Sequence, residues 1–406
     1  MSNALPLSGV RVLDLGRMFA APWAAQILGD LGADVIKVER PTGDEMRHYG
    51  PPYLRDADGN ELVESAYTVA CNRNKRSIAV DLGAEEGVRI VRELALKSDI
   101  LIENFKAGDL ARRGLDYASL KALKPELVYL SVTGFGQTGP YAKRPAVDAI
   151  AQAMGGIMSV TGEANGDPQR IGVVLMDMMT GLYAAISALA ALRHREINRA
   201  DGQYVDLALL DTAMSAMSHR TAEWFLTGNT PKRRGNGSAG NVPANIFPCK
   251  DGTICVQAGG DVQFKNLCRA LDRMNFLDDE RFNTRRARMA NEAALMEILN
   301  DIFRTRTVAE WTDTLVAHNV YCAPIYDVAQ SYADTQVQHR QIRRKIKHPR
   351  AGEIDTIASP MRFSDTPVAF NRHPPMVGEH TDEILRDILG YEARAIDELR
   401  RTNVIR

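Results

Sequence analysis

One aspartate stands alone in an apolar run. Residues 171–192 (IGVVLMDMMTGLYAAISALAAL) carry a single charge, Asp177, and are flanked by Arg170 and Arg193. A buried carboxylate without a partner is costly, so this one needs a reason to be there. At a helix start, free N–H groups and the helix dipole would hold it ionised and ready to react. That makes Asp177 the leading catalytic candidate. The alternative is a plain N-cap or first-turn aspartate.

A second set of residues suits phosphate. Arg73, Lys75 and Arg76 fall together in RNKR, Arg40 ends a strand-like segment, and Lys106, Arg112 and Arg113 follow DILIE. Basic groups at strand ends converge on the carboxyl edge of a parallel sheet, where Arg forks and Lys charges bind phosphates. A solvated charged surface is the bland alternative. Arg47, in GDEMRHYGPP, is a candidate partner for a substrate carboxylate, with a surface arginine as its alternative.

Other signatures fail. The dipeptide Gly-Lys does not occur, so there is no nucleotide-binding P-loop, and HExxH and GxSxG are absent. The histidines are scattered without ligand spacing, so no metal is expected. GxGxxG occurs at Gly134, Gly136 and Gly139 and again at Gly235, Gly237 and Gly240. Pro140 follows the first, and Lys232, Arg233 and Arg234 precede the second. Neither has the strand–turn–helix setting of a dinucleotide site, and both read as loops that let backbone approach a ligand.

These residues need a scaffold. The chain has 406 residues, 45% apolar and 25% charged, with a formal charge of −1. Such values exclude a disordered chain and a polybasic nucleic-acid binder, and the length predicts two domains. The five cysteines, at 71, 249, 255, 268 and 322, lack a tight CxxC pair. They read as reduced thiols of a cytoplasmic protein. The N-terminal residues lack the basic and apolar regions of a secretory signal. The run 171–192 is long enough to span a bilayer. Its Asp177, Thr180 and Ser187, and its place within a soluble pattern, predict a buried helix instead.

Strand-like segments at 10–15, 34–39, 99–103, 127–132 and 204–209 alternate with helical spacing at 20–31 and 85–96. This predicts an α/β fold with a parallel sheet. After about residue 228 the pattern becomes α+β: a strand at 253–258 and helices near 262–271, 292–303 and 308–318. Short strands at 342–347 and 353–357 and a final helical pair, 381–389 and 392–402, complete the chain.

Several blocks resemble the class III (family III) CoA-transferases. They are LSGVRVLDLGRMFAAPWAAQILGDLGADVIKVERP, CNRNKRSIAVDL, SDILIENFKAGDLARRGL, SVTGFGQTGPYAKRPAVDAIAQA, VTGEANGDPQRIGVVLMDMMTGLYAA and GEHTDEILRDILGY, in family order along nearly the whole chain. The segment TGEANGDPQRIGVVLMDMMTGLYA is most similar to succinyl-CoA-dependent dicarboxylate transferases of the succinate–hydroxymethylglutarate (glutarate) type.

The resemblance implies a Rossmann-like large domain from residues 1–227, joined by 326–406, with a smaller α+β domain inserted at 228–325. It also implies an interlocked homodimer. Asp177 would be a covalent nucleophile that forms an acyl anhydride and then a CoA thioester. Arg40, Asn74, Lys75, Arg76, Asn104, Phe105 and Arg112 would contact CoA. Arg17, Met18 and Phe19 would line its channel, and the loop at Gly235, Gly237 and Gly240 would cover the aspartate. Acyl-CoA and a carboxylic acid are then the partners, with no permanent cofactor, no membrane and no nucleic acid.

Phe19 stands where formyl-CoA transferases carry glutamine, and the glycine run at 235–240 is shorter than theirs, which disfavours formyl transfer to oxalate. The racemases of the superfamily need a histidine in a segment matching Ala146, Val147 and Asp148, and Val147 cannot move a proton. A carnitine-type transferase and a non-catalytic acyl-CoA-binding protein are the remaining alternatives.

Overall fold

The computed structural model describes residues 4–406. They form two compact units.

The first comprises residues 4–156, 171–221 and 338–406. Its centre is a six-stranded parallel sheet: β1 (Arg11–Asp14), β2 (Asp34–Glu39), β3 (Lys75–Ala79), β4 (Ile100–Glu103), β5 (Val128–Thr133) and β6 (Tyr204–Ala208). The strands lie in the order β3-β2-β1-β4-β5-β6, and every pair is parallel. This is the Rossmann order, which reverses between β1 and β4 and opens a ligand crevice at the strands' carboxyl ends.

Helices α1 (Ala20–Asp30), α2 (Glu85–Leu96), α3 (Asp148–Met154) and α4 (Leu175–Asn198) belong to this unit. On α2 the buried residues are Ile90, Val91, Leu94 and Ala95, one stripe at helical spacing. They join Leu13, Ile36, Ile78 and Leu101 of the sheet in one core. Ile384, Leu385, Ile396 and Leu399, from the helices Thr381–Asp387 and Ala393–Arg401, close it. The C-terminal segment therefore packs with the N-terminal sheet.

The apolar run at 171–192 becomes helical only from Leu175 and continues to Asn198. Its length and composition meet those of a membrane span. One face of α4, including Met176, Thr180, Ala184 and Ala188, is buried, while Leu182, Tyr183 and Ile186 lie exposed.

Strand β3 escaped the sequence reading. All five of its residues are buried, yet it begins with Lys75 and Arg76. A strand covered on both faces normally reads as an apolar run. Here buried ion pairs take the place of apolar packing, and the signal is lost.

The second unit comprises residues 157–170 and 222–337. Strands β7 (Ala244–Pro248), β8 (Thr253–Gln257) and β9 (Tyr321–Pro324) form an antiparallel sheet in the order β9-β8-β7. Phe247 stacks on Phe303 with centroids 4.7 Å apart, and the Trp311 indole N–H donates to the Phe303 carbonyl at 2.8 Å. This unit differs from the expected 228–325 by taking in residues 157–170, 222–227 and 326–337. Gly235 N–H donates to the Gly162 carbonyl at 3.1 Å, and Arg233 Nη2 to the Gly166 carbonyl at 2.7 Å. Such pairing between distant segments has no local sequence signal.

Candidate active site

Asp177 lies in the first turn of α4. Val174, which precedes the helix, supplies no side-chain cap. The cap comes instead from the first residue of α3. One oxygen of the buried Asp148 carboxylate accepts the N–H groups of Met176 at 2.7 Å and Asp177 at 3.1 Å. The other accepts from Gln152 Nε2 at 2.5 Å, and Gln152 Oε1 accepts the Ile171 N–H at 2.9 Å.

The half-buried carboxylate of Asp177 has neither a hydrogen bond nor an ion pair among the described residues. Burial, and then the negative charge of Asp148, push its carboxyl up to about 7. This corrects the expectation that helix N–H groups would hold Asp177 ionised: Asp148 has already taken them. Sequence reasoning missed this role of Asp148. Its signal was an Asp and a Gln at i and i+4 in DAIAQA, immediately after a loop.

The loop after β1 is held from several sides. Gly16 N–H donates to Asp14 Oδ1 at 2.8 Å, and Met18 N–H to Asp44 Oδ1 at 3.3 Å. Arg17 N–H donates to Asn104 Oδ1 at 2.8 Å, and Asn104 Nδ2 returns to the Arg17 carbonyl at 2.6 Å. Met18 has a φ of 61°, a left-handed conformation that costs a non-glycine residue roughly 1–2 kcal/mol. The surrounding bonds hold it there.

This loop connects two environments. On one side the Arg17 guanidinium stacks over the Phe105 ring at 4.2 Å, across the reversal between β1 and β4. On the other, Phe19 stacks on Trp23 at 5.6 Å and forms an apolar cluster with Met46 and Cys71. Val174 and Met178, which flank Asp177, pack against that cluster.

Above the ends of β1 to β4 lies a cavity of about 350 Å³. Arg17, Arg40, Val80, Leu82, Phe105 and Arg113 are among its lining residues. Glu39, Asp44, Glu45, Asp81 and Asp109 line it as well; the three arginines and the aromatic ring are the groups suited to phosphates and a flat base.

A profile of CoA-transferase family III matches residues 7–381. The chain belongs to CoA-transferase family III. The succinate–glutarate CoA-transferase of Agrobacterium fabrum is 41% identical over 396 residues, which is 96% of this chain and 97% of that one. The succinyl-CoA:glutarate CoA-transferase of Homo sapiens is 38% identical, over 100% of this chain and 91% of that protein. The crystal structure of a CaiB/BaiF family protein from Brucella suis superposes with a TM-score of 0.85 at 40% identity, covering 95% of this chain and 100% of that one.

In this CoA-transferase the sequence-selected residues divide. Arg17, Arg40 and Phe105 line one cavity, with Asn104 bracing Arg17. Met18 and Phe19 lead from there toward Asp177. Arg112 points to Asp109 and is exposed, while its neighbour Arg113 lines the cavity.

The RNKR group does not form an open phosphate rim. Lys75 is fully buried, and its Nζ donates to Asp14 at 2.8 Å, the Pro22 carbonyl at 2.8 Å and Asn72 at 2.9 Å. Asn74 bonds Asp30 and the Ala369 carbonyl, and Arg76 pairs with Asp34 and Glu383. Lys75 thereby holds Asp14 at the end of β1, whereas Asn74 and Arg76 tie the start of β3 to Asp30 and to Asp34 at the amino end of β2.

Arg47 is neither a surface arginine nor open to a substrate carboxylate. It is buried between Glu39 at 2.7 Å and Glu64 at 3.1 Å, and it also donates to the Pro375 carbonyl. Gly235, Gly237 and Gly240 belong to the second unit. There Gly235 has a φ of 57°, and Arg285 donates to the Gly240 carbonyl.

Glu103 was also missed. Burial pushes its carboxyl up to about 7, and it accepts the Phe105 N–H at 2.7 Å, fixing the loop after β4. A charge closing an apolar strand was its only trace in the sequence.

Proposed function

We propose that this protein transfers CoA from succinyl-CoA to a second dicarboxylic acid, with Asp177 as the covalent carrier. The relatives named above supply the substrate class. The unpartnered carboxylate of Asp177 carries the mechanism.

The Asp177 carboxylate attacks the thioester carbonyl. The C–S bond breaks, CoA thiolate leaves with the electron pair, and an acyl–aspartyl anhydride remains. The thiolate then attacks the aspartyl carbonyl, expelling succinate and leaving CoA on Asp177 as a thioester. The acceptor carboxylate attacks that thioester and frees the thiolate. Attack of the thiolate on the acceptor acyl carbon completes the exchange and restores the Asp177 carboxylate. One difficult exchange becomes several easier ones, and no ATP is consumed. A carboxylate that burial makes costly to ionise favours the first step, because the anhydride it forms is neutral.

Arg17, Phe105 and Arg40 receive the adenine and phosphates of CoA in the cavity at the switch point. The Arg17–Phe19 loop leads the thioester arm toward α4. The protein acts as a cytoplasmic homodimer. The exposed Leu182, Tyr183 and Ile186 of α4 support a partner subunit, and the five free cysteines support a reducing compartment. Light scattering that gave a monomer at micromolar concentration would refute the dimer.

Incubation with succinyl-CoA and a panel of acids, read by mass, is expected to yield new CoA esters of dicarboxylates. Hydroxylamine should trap a derivative at Asp177 when succinyl-CoA alone is present. Full transferase activity in Asp177→Ala would overturn the mechanism.

A further inference from the structure

Asp148 spends a buried carboxylate on the helix that carries Asp177. Both of its oxygens are engaged: one takes the N–H groups of Met176 and Asp177, and the other is held by Gln152. Gln152 in turn grips the Ile171 N–H, so the pair fixes both ends of the segment leading into the first turn of α4. Resting on the reading of Asp177 as nucleophile, we propose that Asp148, locked by Gln152, is a positioning residue for it. Asp148 occupies the backbone donors that would otherwise bind the Asp177 carboxylate and leaves that carboxylate unpaired and free to attack the acyl carbon.

A nucleophile that accepted its own helix's N–H bonds would be stabilised in the ground state and would have to break them to react. The cap removes that competition. Its charge also makes the neighbouring carboxylate more basic, adding to the larger effect of burial. Among the described residues, Asp148 is the one charged group whose field shifts Asp177. The apolar cluster packed against Val174 and Met178 contributes Phe19, Trp23 and Met46, and the thiol of Cys71, which burial pushes up to about 12 and so keeps neutral.

The test compares Asp148→Asn, Gln152→Ala and Asp177→Asn with the wild type, using succinyl-CoA and glutarate. Asp148→Asn keeps an acceptor for the two N–H groups but removes the charge and sets an amide NH2 against Gln152 Nε2. Its acidic limb in the pH profile of kcat/KM should move to lower pH by at least about half a unit. It should not reach the range of a free aspartate, because burial remains. Gln152→Ala keeps the charge but frees its rotation, and should lower kcat about 3- to 10-fold with the KM for succinyl-CoA little changed.

Loss of activity in Asp177→Asn together with an unmoved acidic limb in a folded Asp148→Asn and wild-type kcat in Gln152→Ala would overturn the positioning role while sparing the nucleophile. Retained activity in Asp177→Asn would instead remove the nucleophile itself. If Asp148→Asn fails to fold, the kcat of Gln152→Ala decides.

Discussion

Two carboxylates of the same unit, Glu39 and Asp177, both bear a burial penalty and end on opposite sides of the ordinary carboxylate range. Burial alone would raise Glu39. Arg47, then Lys37 and the Ser77 hydroxyl, outweigh it and bring Glu39 down to about 2. Asp177 has no such partners, so burial prevails and Asp148 adds to it, giving about 7. Cations outweigh burial at Glu39, and none among the described residues stands beside Asp177; Glu103, also raised to about 7 by burial, differs from Asp177 in keeping a hydrogen bond from the Phe105 N–H. Burial itself does not mark a functional acid; the missing partner does.

The sharpest way to break this comparison is Asp177→Asn. Transfer should fall by at least about 10³-fold, checked by mass detection of the product ester. The same variant should gain stability. The native carboxyl titrates above its unfolded value, so the wild type loses stability as pH rises from about 4 to 7. The melting-temperature advantage of the variant should therefore be greatest at pH 8 and vanish near pH 4. An equal advantage at both pH values would contradict the uncompensated charge.

Next in size is Arg47→Met, which turns Glu39 and Glu64 into unpaired buried acids. Breaking such a pair costs about 3–5 kcal/mol, measurable by urea unfolding at pH 7. Wild-type Glu39 contributes stability above its unfolded pKa, and this is lost only as pH falls through about 2. In the variant the dependence should reverse, with the deficit shrinking from pH 7 toward pH 4 as the acids take up protons.

A smaller effect is expected at the cavity. Arg17→Ala should raise the KM for succinyl-CoA about 10-fold, close to 1.4 kcal/mol, with kcat within a factor of about two. At the bottom of the scale is Arg112→Ala, which removes an exposed pair with Asp109. Its stability should stay within about 0.5 kcal/mol of wild type in thermal unfolding.

The sequence displayed Asp177 because one charge among apolar residues is a local contrast. It displayed five of the six sheet strands because their side chains are mostly apolar. What it hid was pairing over distance. Lys75 reads as a surface cation until Asp14 and Asn72 are seen around it. Arg47 meets its carboxylates on β2 and in the segment Glu61–Ser65. Asp148 reads as an ordinary helix start, and its function depends on a helix that begins at Leu175. The membership of residues 157–170 in the second unit was hidden for the same reason. Composition and periodicity report what a residue is, whereas these roles depend on what lies opposite.

The glycine one helical turn beyond Asp177 has a further consequence. At Gly181 a Cβ would lie 2.7 Å from the Ala20 carbonyl oxygen and 2.9 Å from the Trp23 ring. Helix α4 can therefore settle against α1 only because no atom stands there. Elsewhere in a helix alanine would be the better residue by about 1 kcal/mol; at this point the extra methyl would lever the turn away from its neighbour. The seat of the turn that bears Asp177 is thus gauged by a single missing carbon, and a side chain at Gly181 would have to shift that turn or its neighbour.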